Sequence, residues 1–285
     1  MEYILIKLII AILIVVVCVL VFNYYELTHF ELNEYIIFND KINTDAEFLI
    51  LSDLHDNTYG KNNSKLLECI NNAGSSNIII AGDMITGKRN RDWDSTINFL
   101  LELAKNHNIY YVNGNHEYRT KIYPEYYGYK YQHYKEILEE AGVIFIENDS
   151  VRINNIIITG LEIDIRYYKK FKKSCINIEE IESYIGKKDD KAYNILVAHN
   201  PRYIDEYIKW NPDMIISGHF HGGVLRLPYV GGVISPQFDL FPKYSGGLYN
   251  IGKIVGIVSK GLGTHSIKIR LFNKPEVIKI KLQKH

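Results

Sequence analysis

Phe48-Leu49-Ile50-Leu51-Ser52-Asp53-Leu54-His55 decides the fold: an apolar run with no polar alternation stops at two side chains able to hold a metal. A strand with one wet face alternates apolar with polar, so an unbroken β-branched or apolar run fits a strand buried on both faces. The pattern recurs along the chain. Asn77-Ile78-Ile79-Ile80-Ala81-Gly82 leads to Asp83, and Ile109-Tyr110-Tyr111-Val112-Asn113-Gly114 leads to Asn115, His116 and Glu117. Asn194-Ile195-Leu196-Val197-Ala198 leads to His199, and Met214-Ile215-Ile216-Ser217-Gly218 leads to His219 and His221.

Between these runs lie stretches with apolar residues three and four apart, which predicts helices. Leu66, Leu67, Ile70 and Ala73 follow Ser64 and precede Gly74; Ile97, Leu100, Leu101 and Ala104 follow Ser95; Ile137, Leu138 and Ala141 precede Gly142. The alternation predicts an α/β sheet with helices packed on it. Strand-like runs at Ile156–Ile158, Ile251–Val258, Ile267–Leu271 and Val277–Leu282, with less helix between them, predict a second sheet from the C-terminal third.

Ligands of open α/β sheets gather at the carboxyl ends of the strands, where all five polar groups fall. Asp53, His55, Asp83, Asn115, His199, His219 and His221 are therefore expected to converge on one rim. Carboxylate, imidazole and amide donors suit borderline divalent metals such as Mn, Fe, Zn or Co. Seven ligands exceed what one ion takes. Two ions about 3.5–4 Å apart, sharing a carboxylate, use them all and clamp both oxygens of a phosphoryl transfer. Phosphate esters repel hydroxide, so two cations are needed to neutralise them and lower the pKa of bound water. Asn115, a neutral ligand, leaves the site more cationic than another aspartate would.

Asp53-x-His55, Gly82-Asp83, Gly114-Asn115-His116-Glu117, His199 and Gly218-His219-x-His221 resemble, in order, the five blocks of the calcineurin-like metallophosphoesterase family. The resemblance covers roughly residues 45–285. With the apolar N-terminus and an ending of Lys260-Gly261-Leu262-Gly263, Ile269-Arg270-Leu271 and Asn273-Lys274-Pro275-Glu276, the chain is most similar to the membrane-anchored bacterial branch of YkuE and LpxG type. The resemblance implies a two-sheet sandwich flanked by helices. It implies one metal on Asp53, His55, Asp83 and His221, and another on Asp83, Asn115, His199 and His219, with Asp83 as the bridge and manganese favoured. It also implies that a hydroxide held by the metals attacks phosphorus in line while His116 protonates the leaving oxygen or steadies the transition state. One departure stands out: many relatives continue Gly-Asp-x-x-Asp, whereas Asp83 is followed by Met84, Ile85 and Thr86, so a supporting carboxylate is missing there. Glu117 is expected to support the site rather than ligate.

From Ile4 to Phe22 the only charge is Lys7, whose stem can carry its ammonium to the headgroups, so the stretch approaches the ~20 apolar residues of a bilayer span. No small-x-small cleavage site follows at Phe22-Asn23-Tyr24-Tyr25, and Val17 before Cys18 does not suit a lipoprotein signal. The expected organisation is an anchor over residues 1–25, a juxtamembrane segment over 26–45 and a metallophosphoesterase domain over 46–285. Lys7 precedes the span while Glu26, Glu31 and Glu34 follow it, which favours a domain outside the cytoplasm.

The remaining composition narrows the partners. Lys plus Arg and Asp plus Glu are both 33, so no counterion-release drive favours nucleic acid. Cys18, Cys69 and Cys175 are too scattered for a disulfide framework or a cysteine zinc site. The expected substrate is a phosphodiester or monoester, an envelope- or lipid-linked one being a candidate because anchoring concentrates it. The alternatives are cleavage of the pyrophosphate of a nucleotide-diphospho-sugar lipid, as in a UDP-2,3-diacylglucosamine hydrolase, and a non-catalytic metal-binding scaffold. Tyrosines 118, 123, 126, 127, 129, 131 and 134 are a candidate substrate cap, with Arg119 beside them to touch phosphate. His29, His107, His133, His265 and His285 read as surface or capping groups.

Overall fold

Each buried-type run forms a strand because its two sides meet two different apolar layers. The computed structural model describes residues 2–171, 174–223, 225–227, 229–264 and 268–284. Its strands are, in chain order, β1 (Glu31–Phe38), β2 (Ala46–Leu51), β3 (Asn77–Ala81), β4 (Asn108–Val112), β5 (Ile144–Phe145), β6 (Asp149–Ile153) and β7 (Ile156–Leu161). They continue with β8 (Tyr193–Ala198), β9 (Met214–Ser217), β10 (Leu225–Leu227), β11 (Gly231–Ile234), β12 (Gly247–Ile251), β13 (Ile254–Val258) and β14 (Glu276–Gln283). One sheet runs β1-β14-β2-β3-β4-β5, a second runs β12-β13-β9-β8-β7-β6, and β10-β11 is a separate hairpin.

The sheets stack face to face. Phe48, Ile50, Ile79 and Ala81 of the first meet Ile195, Val197, Met214 and Ile216 of the second in a common core. Their chain neighbours Leu49, Leu51, Ile78 and Ile80 point the other way, onto helices α2 (Ser64–Asn72), α3 (Asp94–Ala104) and α6 (Lys130–Glu140). Leu196, Ala198 and Ile215 likewise turn outward to Ile181 of α7 (Ile178–Ile185). A side chain buried this way contributes roughly 1.5–3 kcal/mol, so both faces of a strand such as β3 stabilise it. The result is a two-sheet sandwich flanked by helices, as expected.

The C-terminal third departs from expectation in its pairing. The runs at 156 and 251 do enter the second sheet, although Gly252, with φ 63°, breaks the latter into the β12-β13 hairpin. Residues 268–270 are irregular, and Ile267 lies outside the described residues. β14 crosses back into the first sheet, antiparallel to β2 and parallel to β1. The segment after the N-terminal helix is thereby tied into the sandwich: β1 pairs with β14 from Glu31–Glu276 to Phe38–Gln283.

Helix α1 (Glu2–Thr28) is exposed throughout its apolar length and reaches a mean hydropathy of 3.5 over 18 residues, enough to cross a bilayer. Glu26 is its one buried residue among those described.

Candidate metal centre

Register brings the polar groups level. Leu51 pairs with Ile80 and Ala81 with Val112, so the loops after β2, β3 and β4 leave the first sheet at one rim; Val197 pairs with Ile216, levelling the loops after β8 and β9 of the second. Asp53, His55 and Asp83 come from the first sheet, and Asn115 and His116 open helix α4 (Asn115–Ile122) directly after β4. His199, His219 and His221 come from the second. Both sheets thus contribute across the sandwich edge.

The turns are sharp. Asp53, His55, Asp83, His219 and His221 all have φ between 48° and 64°, the left-handed region that costs a side-chain-bearing residue energy and clusters at functional sites. Glycines make the close approach possible. Gly82 has φ 87°, and a Cβ there would stand 2.6 Å from His199 Nδ1; a Cβ on Gly218 would stand 2.5 Å from Asp53 Oδ2. The Gly-Asp and Gly-His pairs of the sequence are therefore steric requirements of the rim.

Asp83 Oδ2 lies 3.1 Å from His199 Nε2, 3.8 Å from His55 Nε2 and 4.0 Å from His116 Nε2. Asp53 Oδ1 lies 3.4 Å from His221 Nε2 and 3.8 Å from both His55 Nε2 and His199 Nε2. His55 and His221 face each other through Nε2 atoms 3.2 Å apart. The ring orientations are fixed from behind: His199 Nδ1 donates to the Ala81 carbonyl at 2.6 Å, and His221 Nδ1 donates to the Gly263 carbonyl at 3.0 Å. Their Nε2 atoms are left aimed at carboxylates, a pairing that needs positive charge between the two, either a proton on the ring or a bound cation.

Three buried atoms make the same point. His219 Nε2 and Asn115 Oδ1 have no hydrogen-bond partner among the described residues, and His199 Nε2 has only the Asp83 carboxylate before it. Donor atoms of Asp53, His55 and His221 fall within 4.8 Å of one another, as do those of Asp83, His199 and His219. This donor set fits two divalent ions, with Asp83 facing both groups. Charge follows the geometry. Burial raises the Asp83 pKa, but the histidines, His199 foremost, outweigh it and hold the carboxyl well below its usual range. Burial lowers the His199 pKa, but Asp83 and Asp53 push it up to about 10. Burial and neighbouring His199 hold His219 well below the usual imidazole range, and burial lowers His221.

The model of the calcineurin-like phosphoesterase family matches residues 46–223. The chain belongs to that family. An uncharacterized metallophosphoesterase of Aquifex aeolicus is 30% identical over 204 residues, covering 70% of each chain. YkoQ of Bacillus subtilis, also an uncharacterized metallophosphoesterase, is 27% identical over 239 residues, covering 80% of each. YkuE of the same organism is 24% identical over 209 residues, covering 73% of this chain and 68% of that one. This calcineurin-like phosphoesterase is accordingly a metal-dependent phosphoester hydrolase.

Two carboxylates shape the phosphoesterase rim from below. Glu117, fully buried, accepts from the backbone N–H groups of Asp83, Met84, Ile85 and Gly114 and from the Tyr111 hydroxyl. It braces the Asp83 turn from beneath, and burial next to Asp83 pushes its pKa up to about 7. Asp56, which the sequence reading passed over, accepts from Thr86 N at 3.0 Å and Thr96 Oγ1 at 3.0 Å. Asp56 thus holds the turn after Asp83 through Thr86, where many relatives have a carboxylate of their own. Its signal was the acidic residue directly after Asp53-x-His55.

A cavity of about 270 Å³ opens over the cluster, lined by His55, Asp83, Asn115, His116, His219 and His221. Its outer wall carries Arg119, Lys170, Tyr168, Phe238, Ile269 and Arg270. None of the seven tyrosines between 118 and 134 lines it: Tyr127, Tyr131 and Tyr134 are buried in the body of the domain, and Tyr123, Tyr126 and Tyr129 face outward. Tyr168, Lys170, residues 236–238, Ile269, Arg270 and Asn273 form the wall instead. His107 bonds to the Ser75 carbonyl and Asn71, as a surface fastening; His265 and His285 lie outside the described residues.

Proposed function

We propose that this phosphoesterase is membrane-anchored through α1 and hydrolyses a phosphodiester or monoester on two divalent ions, manganese favoured. The observation that carries it is the single Asp83 oxygen lying between two sets of nitrogen lone pairs. Asp53, His55, Asp83 and His221 would hold one ion, and Asp83, Asn115, His199 and His219 the other. When bound, the pair supplies Lewis acidity to the phosphoryl oxygens and an acidified water for in-line attack. Asp83, held ionised by the histidines around it, balances part of that charge, and neutral Asn115 leaves the remainder to attract phosphate.

His116 is placed to steady the departing oxygen through a hydrogen bond. Gly87 N–H donates to His116 Nδ1 at 2.7 Å, so the neutral ring carries its hydrogen on Nε2, which faces the cavity. A ring protonated there gives a hydrogen bond to a departing ester oxygen. Arg119 and Lys170 add positive charge at the cavity wall, while Phe238 and Ile269 add apolar surface beside them. That mixture suits a phosphoester attached to an apolar group, and so an envelope- or lipid-linked substrate, including the pyrophosphate of a nucleotide-diphospho-sugar lipid. The charges flanking α1 favour a domain outside the cytoplasm, and all of the metal-site motifs lie beyond residue 46.

The test is turnover of bis-p-nitrophenyl phosphate and p-nitrophenyl phosphate by the full chain in detergent with added manganese. Hydrolysis of either supports the reading. Bound metal with no hydrolysis of either would instead favour a metal-binding scaffold.

A further inference from the structure

We propose that the apolar rim of the cavity is a membrane-contact surface continuous with α1, so that the site opens at the bilayer interface instead of into bulk water. The inference rests on α1 being a span, as proposed above, and goes beyond it by placing the domain's orientation.

Length sets the level first. A span takes ~20 helical residues, so one beginning near Tyr3 reaches the headgroups near Phe22. At that level α1 is joined to the cavity wall. Phe22 packs on Phe272 with ring centroids 5.2 Å apart, Asn23 Oδ1 accepts from Arg270 N at 2.8 Å, and Glu26 Oε2 accepts from Asn273 N at 2.8 Å. Asn273 then reaches across the cavity, donating to the His221 carbonyl at 2.6 Å and the Gly223 carbonyl at 3.3 Å. The β10-β11 hairpin starts from that point. Ile234 bridges to Leu240, and Phe238 stacks on Phe171 at 4.5 Å, which closes the rim.

The tips of this rim are apolar and exposed. Leu227, Val230, Leu240 and Phe241 are 42%, 59%, 69% and 63% exposed, and Tyr229 projects fully. Clustered exposed apolar residues mark an interaction surface. The partner is set by continuity with α1 and by composition: aromatics interleaved with Lys170 over Phe238 and Lys274 over Tyr25 match the aromatic and cationic belt of a bilayer interface. A membrane contact of this kind buries ~5–10 Å into the headgroup and upper acyl region.

The experiment uses the full chain with Cys18, Cys69 and Cys175 replaced by serine, reconstituted into vesicles of phosphatidylcholine and phosphatidylglycerol. A fluorophore is attached at Leu227→Cys or Leu240→Cys, and, as controls, at Ser150→Cys or Glu139→Cys. Brominated acyl chains are expected to quench the rim labels roughly twofold or more over the controls, a contrast that follows from interfacial depth. Flotation with the vesicles but equal quenching at rim and control would overturn the proposal alone. Failure to float would overturn the anchor as well. Hydrolysis of the soluble p-nitrophenyl esters by the labelled rim variants tests the catalytic reading separately.

Discussion

At the scale of single residues, the proposed roles divide the centre into residues that would hold the metals and His116, which would act on the leaving oxygen. His116→Ala is expected to leave metal content nearly unchanged while lowering turnover of the p-nitrophenyl esters by about 10²–10³, the range of one lost hydrogen-bond donor to a developing oxyanion. Metal analysis beside kinetics checks it, and loss of metal in that variant would reassign His116 as a ligand. Asp83→Asn is expected to empty the site, because it removes the one carboxylate charge that faces both donor groups. His199 gives a pH dependence with a definite sign. Its pKa in the metal-free protein, about 10, lies above the ordinary imidazole value, so at neutral pH the ring is protonated. Metal must displace that proton, so affinity is expected to fall as pH falls. Calorimetry in buffers of different ionisation enthalpy would report close to one proton released from His199; none released would mean that its nitrogen is not a ligand.

At the scale of elements, what the sequence disclosed and what it hid separate cleanly. The loops after β2, β3, β4, β8 and β9 were legible because each follows a run buried on both faces, and such runs end where the sheet ends. The pairing of β14 between β1 and β2 was not, since no local pattern marks a contact between residues 278 and 50. Glu117 was expected to support the site, but residue type did not reveal that it and Asp56 do so by holding backbone turns, or that residues 236–238 with Ile269, Arg270 and Asn273, not the tyrosines after His116, wall the cavity. The tyrosines mislead because Tyr127, Tyr131 and Tyr134 point inward at helical spacing. The glycines at the strand ends give a test at this scale. Gly218→Ala forces a methyl to within 2.5 Å of Asp53 Oδ2, and the two sheets must part to admit it. A loss of ~1–3 kcal/mol, typical of an overpacked core, is expected in thermal unfolding together with weaker metal binding. Unchanged metal affinity would mean that the two sheets give way more easily than close packing allows.

At the scale of the whole molecule, the N-terminal region is part of the folded domain as well as its proposed tether. A soluble version cut at residue 46, where the family match begins, would remove β1 and leave β14 as a bare edge. Ile37 alone, buried against the shared core, contributes ~1.5–3 kcal/mol, and an uncovered strand edge invites association. A version beginning at Phe30 keeps β1 but loses Asn23 and Glu26, which hold Arg270 N and Asn273 N. That loss is felt at the metals. Arg270 Nη2 and His221 Nδ1 both donate to the Gly263 carbonyl, and Asn273 also holds the His221 carbonyl, so the loop that α1 secures is the loop that orients His221. The two truncations should therefore fail differently. The chain from Phe30 is expected to melt cooperatively and stay monomeric but bind metal more weakly than the full chain in detergent. The chain from Ala46 is expected to aggregate or melt several degrees lower. Equal metal affinity in the full chain and the Phe30 version would show that the contacts from Asn23 and Glu26 carry no weight at the site, leaving α1 a tether only.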